Sequence, residues 1–111
     1  MRRTVRIGGN PIGAVETAVG GTGQLRVVGW ALDPDTAAPI DVHVYVDGVP
    51  YDVLANRGHE GIGRMRTDAG PWHGFEVAVG VAPGNHSVCA HAINFGYGNH
   101  TPLGCRNVVV K

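Results

Sequence analysis

Six histidines, two cysteines, one serine and nine carboxylates are the side chains here that could do chemistry. Their spacing argues against most of it. His86 and His91 lie five apart in one predicted strand and therefore project to opposite faces, so they cannot chelate one ion together. His43 and His91 can be neighbours across a sheet, but two ligands do not complete a metal site. Asp33, Asp35 and Asp41 could supply oxygens to Ca²⁺, which takes six to eight of them. A bare Asp-Pro-Asp is more often a corner whose carboxylate caps backbone N–H groups. Ser87 falls inside a predicted strand, with no nucleophile elbow around it. Glu60 and Asp68 are a conceivable carboxylate pair for glycan hydrolysis, yet they sit in a glycine-rich stretch that offers nothing to fix their separation. The expectation is a non-catalytic chain with no cofactor and no metal.

Recognition is better represented than catalysis. Residues 56–72 bring together Arg57, His59, Arg64, Met65, Arg66 and Trp72, types favoured at contact surfaces, in a stretch long enough to be a functional loop. The competing reading is a plain crossover between two sheets, stapled to the core edge by Met65 and Trp72. A second candidate is the start of the chain. Val5 and Ile7 can share one side of an extended arm, while Arg2, Arg3 and Arg6 offer charge-assisted hydrogen bonds. Such an arm can add as a strand to a neighbour's sheet edge, or simply extend the first strand of its own domain. Trp30 and Tyr97 could stack on sugar rings, although Trp30 is equally well covered by its own fold.

The elements that must position these residues are strands. Eighteen glycines and seven prolines leave little room for long helices. Residues 41–47 alternate strictly, with Val42, Val44 and Val46 on one side and His43, Tyr45 and Asp47 on the other. This marks a half-buried strand, and Asp47-Gly48 supplies hairpin-turn chemistry. Further strands are expected at 14–19, 24–32, 49–55, 75–79, 86–94 and 103–110, with Asn10 to Gly13 as a turn. Pro50 marks the fourth strand as an edge. In residues 24–32 both faces carry apolar side chains, so periodicity does not assign the inner one. Seven short strands with turns at this spacing predict an all-β, immunoglobulin/fibronectin-III-like antiparallel sandwich. The sixth and seventh strands form a hairpin centred near Tyr97. That register sets Cys89 directly opposite Cys105 and predicts a disulfide. The organisation expected is an extended arm at 1–9 and one sandwich at 10–111.

Several of these segments together resemble a family. Gly29-Trp30-Ala31-Leu32-Asp33-Pro34-Asp35, followed by Val44-Tyr45-Val46-Asp47-Gly48, is similar to bacterial immunoglobulin-like accessory repeats. These occur in actinobacterial secreted and cell-wall proteins and in proteins of their phages. The Asn10–Gly13 motif, His73-Gly74-Phe75, the run from Pro83 to Cys89, and Leu103-Gly104-Cys105-Arg106 extend the likeness over roughly residues 10–110. The resemblance implies a non-catalytic module displayed outside the cell. It implies no ligand that carries over residue by residue.

Charge and composition narrow the partners. The formal net charge is zero, whereas nucleic acids and anionic membranes select a basic excess. No apolar run approaches membrane-spanning length. The first residues are too short and too charged for a secretory signal, yet paired cysteines suit an oxidising compartment. A virion protein released by lysis, a module cut from a larger secreted protein, and a cytosolic chain with reduced thiols all reconcile these facts. The absence of a visible tag favours a complete short protein. The function expected is a structural or adhesion module on an exterior surface, most readily a phage decoration or accessory protein bound to the subunits of a larger assembly. The alternative is a module that binds cell-wall glycan or another carbohydrate.

Overall fold

The computed structural model describes residues 9–59, 72–95 and 99–111. Their strands are β1 (Ile12–Gly20), β2 (Gln24–Leu32), β3 (Asp41–Val46), β4 (Val49–Leu54), β5 (Arg57–Gly58), β6 (Trp72–Gly80), β7 (Gly84–Ala92) and β8 (Thr101–Val110). They form two antiparallel four-stranded sheets, β1-β2-β6-β5 and β4-β3-β7-β8. This is the immunoglobulin-like sandwich that the strand spacing predicts, with two four-stranded layers facing each other.

Alternation decides which side of each strand is inside. Leu25, Val27 and Ala31 of β2 are buried, as are Val42, Val44 and Val46 of β3 and Val88, Ala90 and Ala92 of β7. The ambiguity in β2 is thereby settled in favour of its odd positions. Leu32 is buried as well, because it lies where the chain turns from one sheet to the other. Among the described residues, Phe75 is the largest wholly buried side chain. It fills the space above Gly29, where an added Cβ would come within 2.8 Å of the ring.

Several local expectations need correction. The turn expected at Asn10–Gly13 is shorter, since Ile12 and Gly13 already pair with Leu32 and Ala31 and lengthen the first strand to Gly20. A bulge between Val15 and Thr17 shifts its register, and that is why simple alternation underestimates it. Residues 56–72 are not irregular throughout. Arg57 and Gly58 make an eighth, two-residue strand on β6, and β6 itself starts at Trp72 rather than Phe75. Trp72 does not staple the core, for it is 62% exposed. The edge position of β4 agrees with its Pro50. Asp47 and Gly48 both have positive φ, 51° and 84°, as the tight β3–β4 hairpin requires.

The cysteine pairing is as expected. Cys89 and Cys105 face each other across β7 and β8 and are joined by a disulfide. They lie on the outward side of the sheet, since their neighbours Val88 and Ala90 point into the core. At the far end of the sandwich the two layers are laced together by backbone bonds. Gly23 N–H donates to the Lys111 carbonyl at 2.9 Å, and Lys111 N–H donates to Gly21 at 3.0 Å.

Candidate functional site

Antiparallel pairing brings one set of strand ends to a single pole. Ile12 is level with Leu32, Asp41 with Leu54, Val42 with Ala92, Ala92 with Thr101, and Gly58 with Trp72. The beginning of the described chain, the β2–β3 corner, both chain ends that flank residues 60–71, and the β7–β8 hairpin therefore meet there.

Asp33 holds this pole together. It is only 1% exposed. One carboxylate oxygen accepts the Asp35 N–H at 2.9 Å, and the other accepts the Phe95 N–H at 2.7 Å. The first bond closes the corner that Pro34 begins, and the second ties that corner to the β7–β8 hairpin. The acidic corner thus works as the backbone cap that its sequence suggests. Asp35 extends the network by accepting the Gly9 N–H at 2.8 Å. Asn10 accepts the Asn99 N–H at 2.9 Å, and the Thr101 hydroxyl donates to the Pro11 carbonyl at 2.7 Å. The point at which residues 1–8 join the domain is consequently fastened to both sheets.

Beside this network, on the β3–β4–β7 side, lies an open groove of about 150 Å³ lined by Pro39, Ile40, Asp41, Leu54, Ile93 and Phe95. Leu54 is 44% and Phe95 53% exposed. Sequence reading misses this groove because its residues are scattered over three segments, each next to the end of a strand.

The outward face of the other sheet carries a different chemistry. Trp72 lies against Gly58 of the edge strand, where an added Cβ would be 3.3 Å from the indole. Trp30 presents its ring edge to His59, with centroids 6.5 Å apart. His59 Nε2 is 3.0 Å from both carboxylate oxygens of Glu16, at the β1 bulge. Glu76 pairs with Arg26 at 3.2 Å and with Arg57 at 3.7 Å. Between these groups is a depression of about 90 Å³ whose lining includes Gly58, His59, Gly74, Arg57 and Glu76. Of the residues singled out from sequence, Arg57 and Trp72 meet at this face. Arg2, Arg3, Val5, Arg6, Ile7, Arg64, Met65 and Arg66 lie outside the described residues, as do Glu60, Asp68 and Tyr97. Glu76 could have been found from sequence by continuing the β6 alternation back two steps to Trp72.

The histidines are dispersed. His43 and His91 are cross-strand partners on the outward face of the second sheet, with Tyr45 edge-on to both at 6.4 and 5.5 Å. At the far pole, His86 Nδ1 is 2.6 Å from the Asp47 carboxylate and Nε2 is 2.6 Å from the Ala82 carbonyl. Both contacts are acceptors, so the doubly protonated ring satisfies them best. The Asp47 hydrogen bond raises the His86 pKa, and the same bond lowers that of Asp47. Ser87 takes part through its backbone, donating its N–H to Asp47 at 2.8 Å. Among the described residues, no group of three or more His, Cys, Asp or Glu is arranged to hold a metal ion.

No family model matches the chain, and no curated protein matches it.

Proposed function

We propose that this chain is a non-catalytic display module of an exterior surface, a virion decoration or accessory structural protein, that docks on a protein subunit of a larger assembly through the pole described above. The observation that carries the reading is the fastening of Gly9 to Asp35 beside an open apolar groove. Three arginines fall in residues 1–9 and the whole chain is neutral, so the remainder carries a net charge of −3. A basic segment joined at Gly9 to an acidic remainder, with Leu54 and Phe95 exposed at the same pole, suits a subunit interface, where an apolar centre is ringed by charge. The likeness to accessory repeats of actinobacterial proteins and their phages supports the same setting, and the disulfide suits a virion or extracellular location.

Deleting residues 2–8 tests the reading. The shortened chain is expected to fold, because the described sandwich has its own core, and to be lost from purified particles. Undiminished incorporation refutes the attachment role. Phe95→Asp is expected to weaken incorporation without changing the fold.

A further inference from the structure

The groove and the Trp72 face lie on different sides of the sandwich and differ in kind. Around Leu54 and Phe95 the neighbours are mainly aliphatic, Pro39, Ile40 and Ile93, with Asp41 and Asn94 at the margin. On the Trp72 side, Gly58 lies against the indole and also lines the neighbouring depression, together with Gly74, Arg57, Glu76, Val28 and Phe75. Among the described residues the indole rests on Gly58 and is largely exposed, a patch too small by itself to centre a stable protein interface, which takes about 800 Å² from each partner. It is well matched to a ligand that is flat and apolar on one face and rich in hydroxyls at its edge.

We propose that this face is a binding site for a glycan of β-linked pyranose units. An all-equatorial pyranose presents its axial C–H bonds as an apolar patch of slight positive character. That patch suits the electron-rich face of Trp72. Equatorial hydroxyls then point outward in the ring plane, toward the depression. There the Glu76 carboxylate accepts and the Arg57 guanidinium donates, while Arg26, outside the lining, pairs with Glu76. The three charges are already paired with one another at 3.2 and 3.7 Å, so hydroxyl groups meet oriented partners. Glycine at 58 and 74 matters for access. Gly58 lets the indole lie against the edge strand, and at Gly74 an added Cβ would come within 3.1 Å of the Arg57 carbonyl. His59, held by Glu16, closes the side nearest Trp30. The site stands apart from the arm and the groove, so it does not depend on the attachment reading.

The test is titration of the full chain with cellohexaose and with the β-1,4-linked hexamer of N-acetylglucosamine. Tryptophan fluorescence and NMR shifts of the two indole N–H groups are followed. Saturable binding to at least one hexamer is expected, in the roughly millimolar range of a small open site, with the larger perturbation at Trp72. Trp72→Ala is expected to weaken binding by about tenfold or more, and Arg57→Ala to weaken it less. Phe95→Asp is expected to leave it unchanged. Trp72 is exposed, so its loss leaves the fold intact and a circular dichroism spectrum verifies this. Failure of both hexamers to bind overturns the proposal, as does equal binding by Trp72→Ala. Loss of particle incorporation in Trp72→Ala without glycan binding by the parent chain would assign the face to a protein partner instead.

Discussion

Replacing Asp33 with alanine tests whether one buried carboxylate holds this pole of the sandwich together. The side chain is 1% exposed and accepts two backbone N–H groups, from Asp35 at 2.9 Å and Phe95 at 2.7 Å. Removing it leaves both donors without that acceptor in part-buried positions. A lost partner of this kind costs about 1–3 kcal/mol per group, and relief of the carboxylate's own desolvation returns part of that. A net loss of about 3 kcal/mol is expected, equivalent to a fall of about 12 °C in Tm for a domain of this size. Guanidinium denaturation is the cleaner assay, since a shift in midpoint at unchanged slope isolates stability from changes in the unfolded chain. Asp33→Asn is expected to recover little. Its amide keeps one oxygen but turns an N–H₂ toward the other N–H. A loss below about 1 kcal/mol for Asp33→Ala would refute the reasoning and mean that water replaces the carboxylate. Added Ca²⁺ is expected to leave the melt unchanged. A rise in Tm that Asp33→Asn abolishes would show that these oxygens serve a cation rather than the backbone.

Reducing Cys89–Cys105, whose separation of 16 residues closes a short loop, is expected to cost about 3 kcal/mol in the chain-entropy view. A scan with and without reductant checks this, and an unchanged Tm would contradict it. His86 provides a pH signature. Its folded pKa is raised, so its contribution is fully present below the unfolded value of about 6.5 and is lost as pH rises through the folded pKa. Asp47, whose pKa is lowered, contributes above its unfolded value of about 4 and loses that contribution as pH falls through the folded one. Stability is therefore expected to decline as pH rises above about 6.5 and to become flatter there in His86→Ala, as read from denaturation midpoints across pH. An NMR titration of His86 that gives an unshifted midpoint would remove the basis for this.

Much of the fold is legible in the residues because the physics that sets it is local. Val42, Val44 and Val46 alternate with polar neighbours, so β3 and its buried face follow directly, and Asp47-Gly48 dictates the hairpin after it. Symmetry about Tyr97 places Cys89 opposite Cys105, although the register slips by one beyond Ala90, where Gly104 and Pro102 flank a bulge. Other features depend on contacts distant in sequence. β5 exists only because Arg57 and Gly58 find Gly74 and Trp72 across a stretch of unrelated residues, and no propensity in Arg-Gly announces a strand. The bulge in β1 hides Ile12 and Gly13 from an alternation count. The candidate site divides in the same way. Arg57 and Trp72 are conspicuous by type, whereas Glu76 looks like an ordinary strand carboxylate until β6 is extended back to Trp72. Leu54 and Phe95 look like core residues and become a surface feature only when three separate segments converge.

The position of the disulfide bears on what such a module withstands. In antibody-type sandwiches a cystine crosses the core between the two sheets. Here the core position at Gly29 is filled by the Phe75 ring, and the cystine lies outside, bracing β7 to β8. β8 is the strand on which closure of the sandwich depends. The Arg106 guanidinium donates to the Val15 carbonyl, beside the β1 bulge. Gly20 lies so close to Val109 that an added Cβ would collide with its carbonyl oxygen, and Thr101 holds Pro11 at the opposite pole. A pull on residues 1–8 reaches the domain at Gly9 and Pro11, through Asp35 and Thr101. The first path leads into the Asp33 network and the second into β8. A noncovalent β7–β8 pair could give way by slipping its register along the hairpin, which the covalent link forbids between Cys89 and Cys105. Under the attachment proposed above, the domain gains most from a crosslink on this hairpin, where it secures the strand that would receive the load, and least from one in a core that packing already fills.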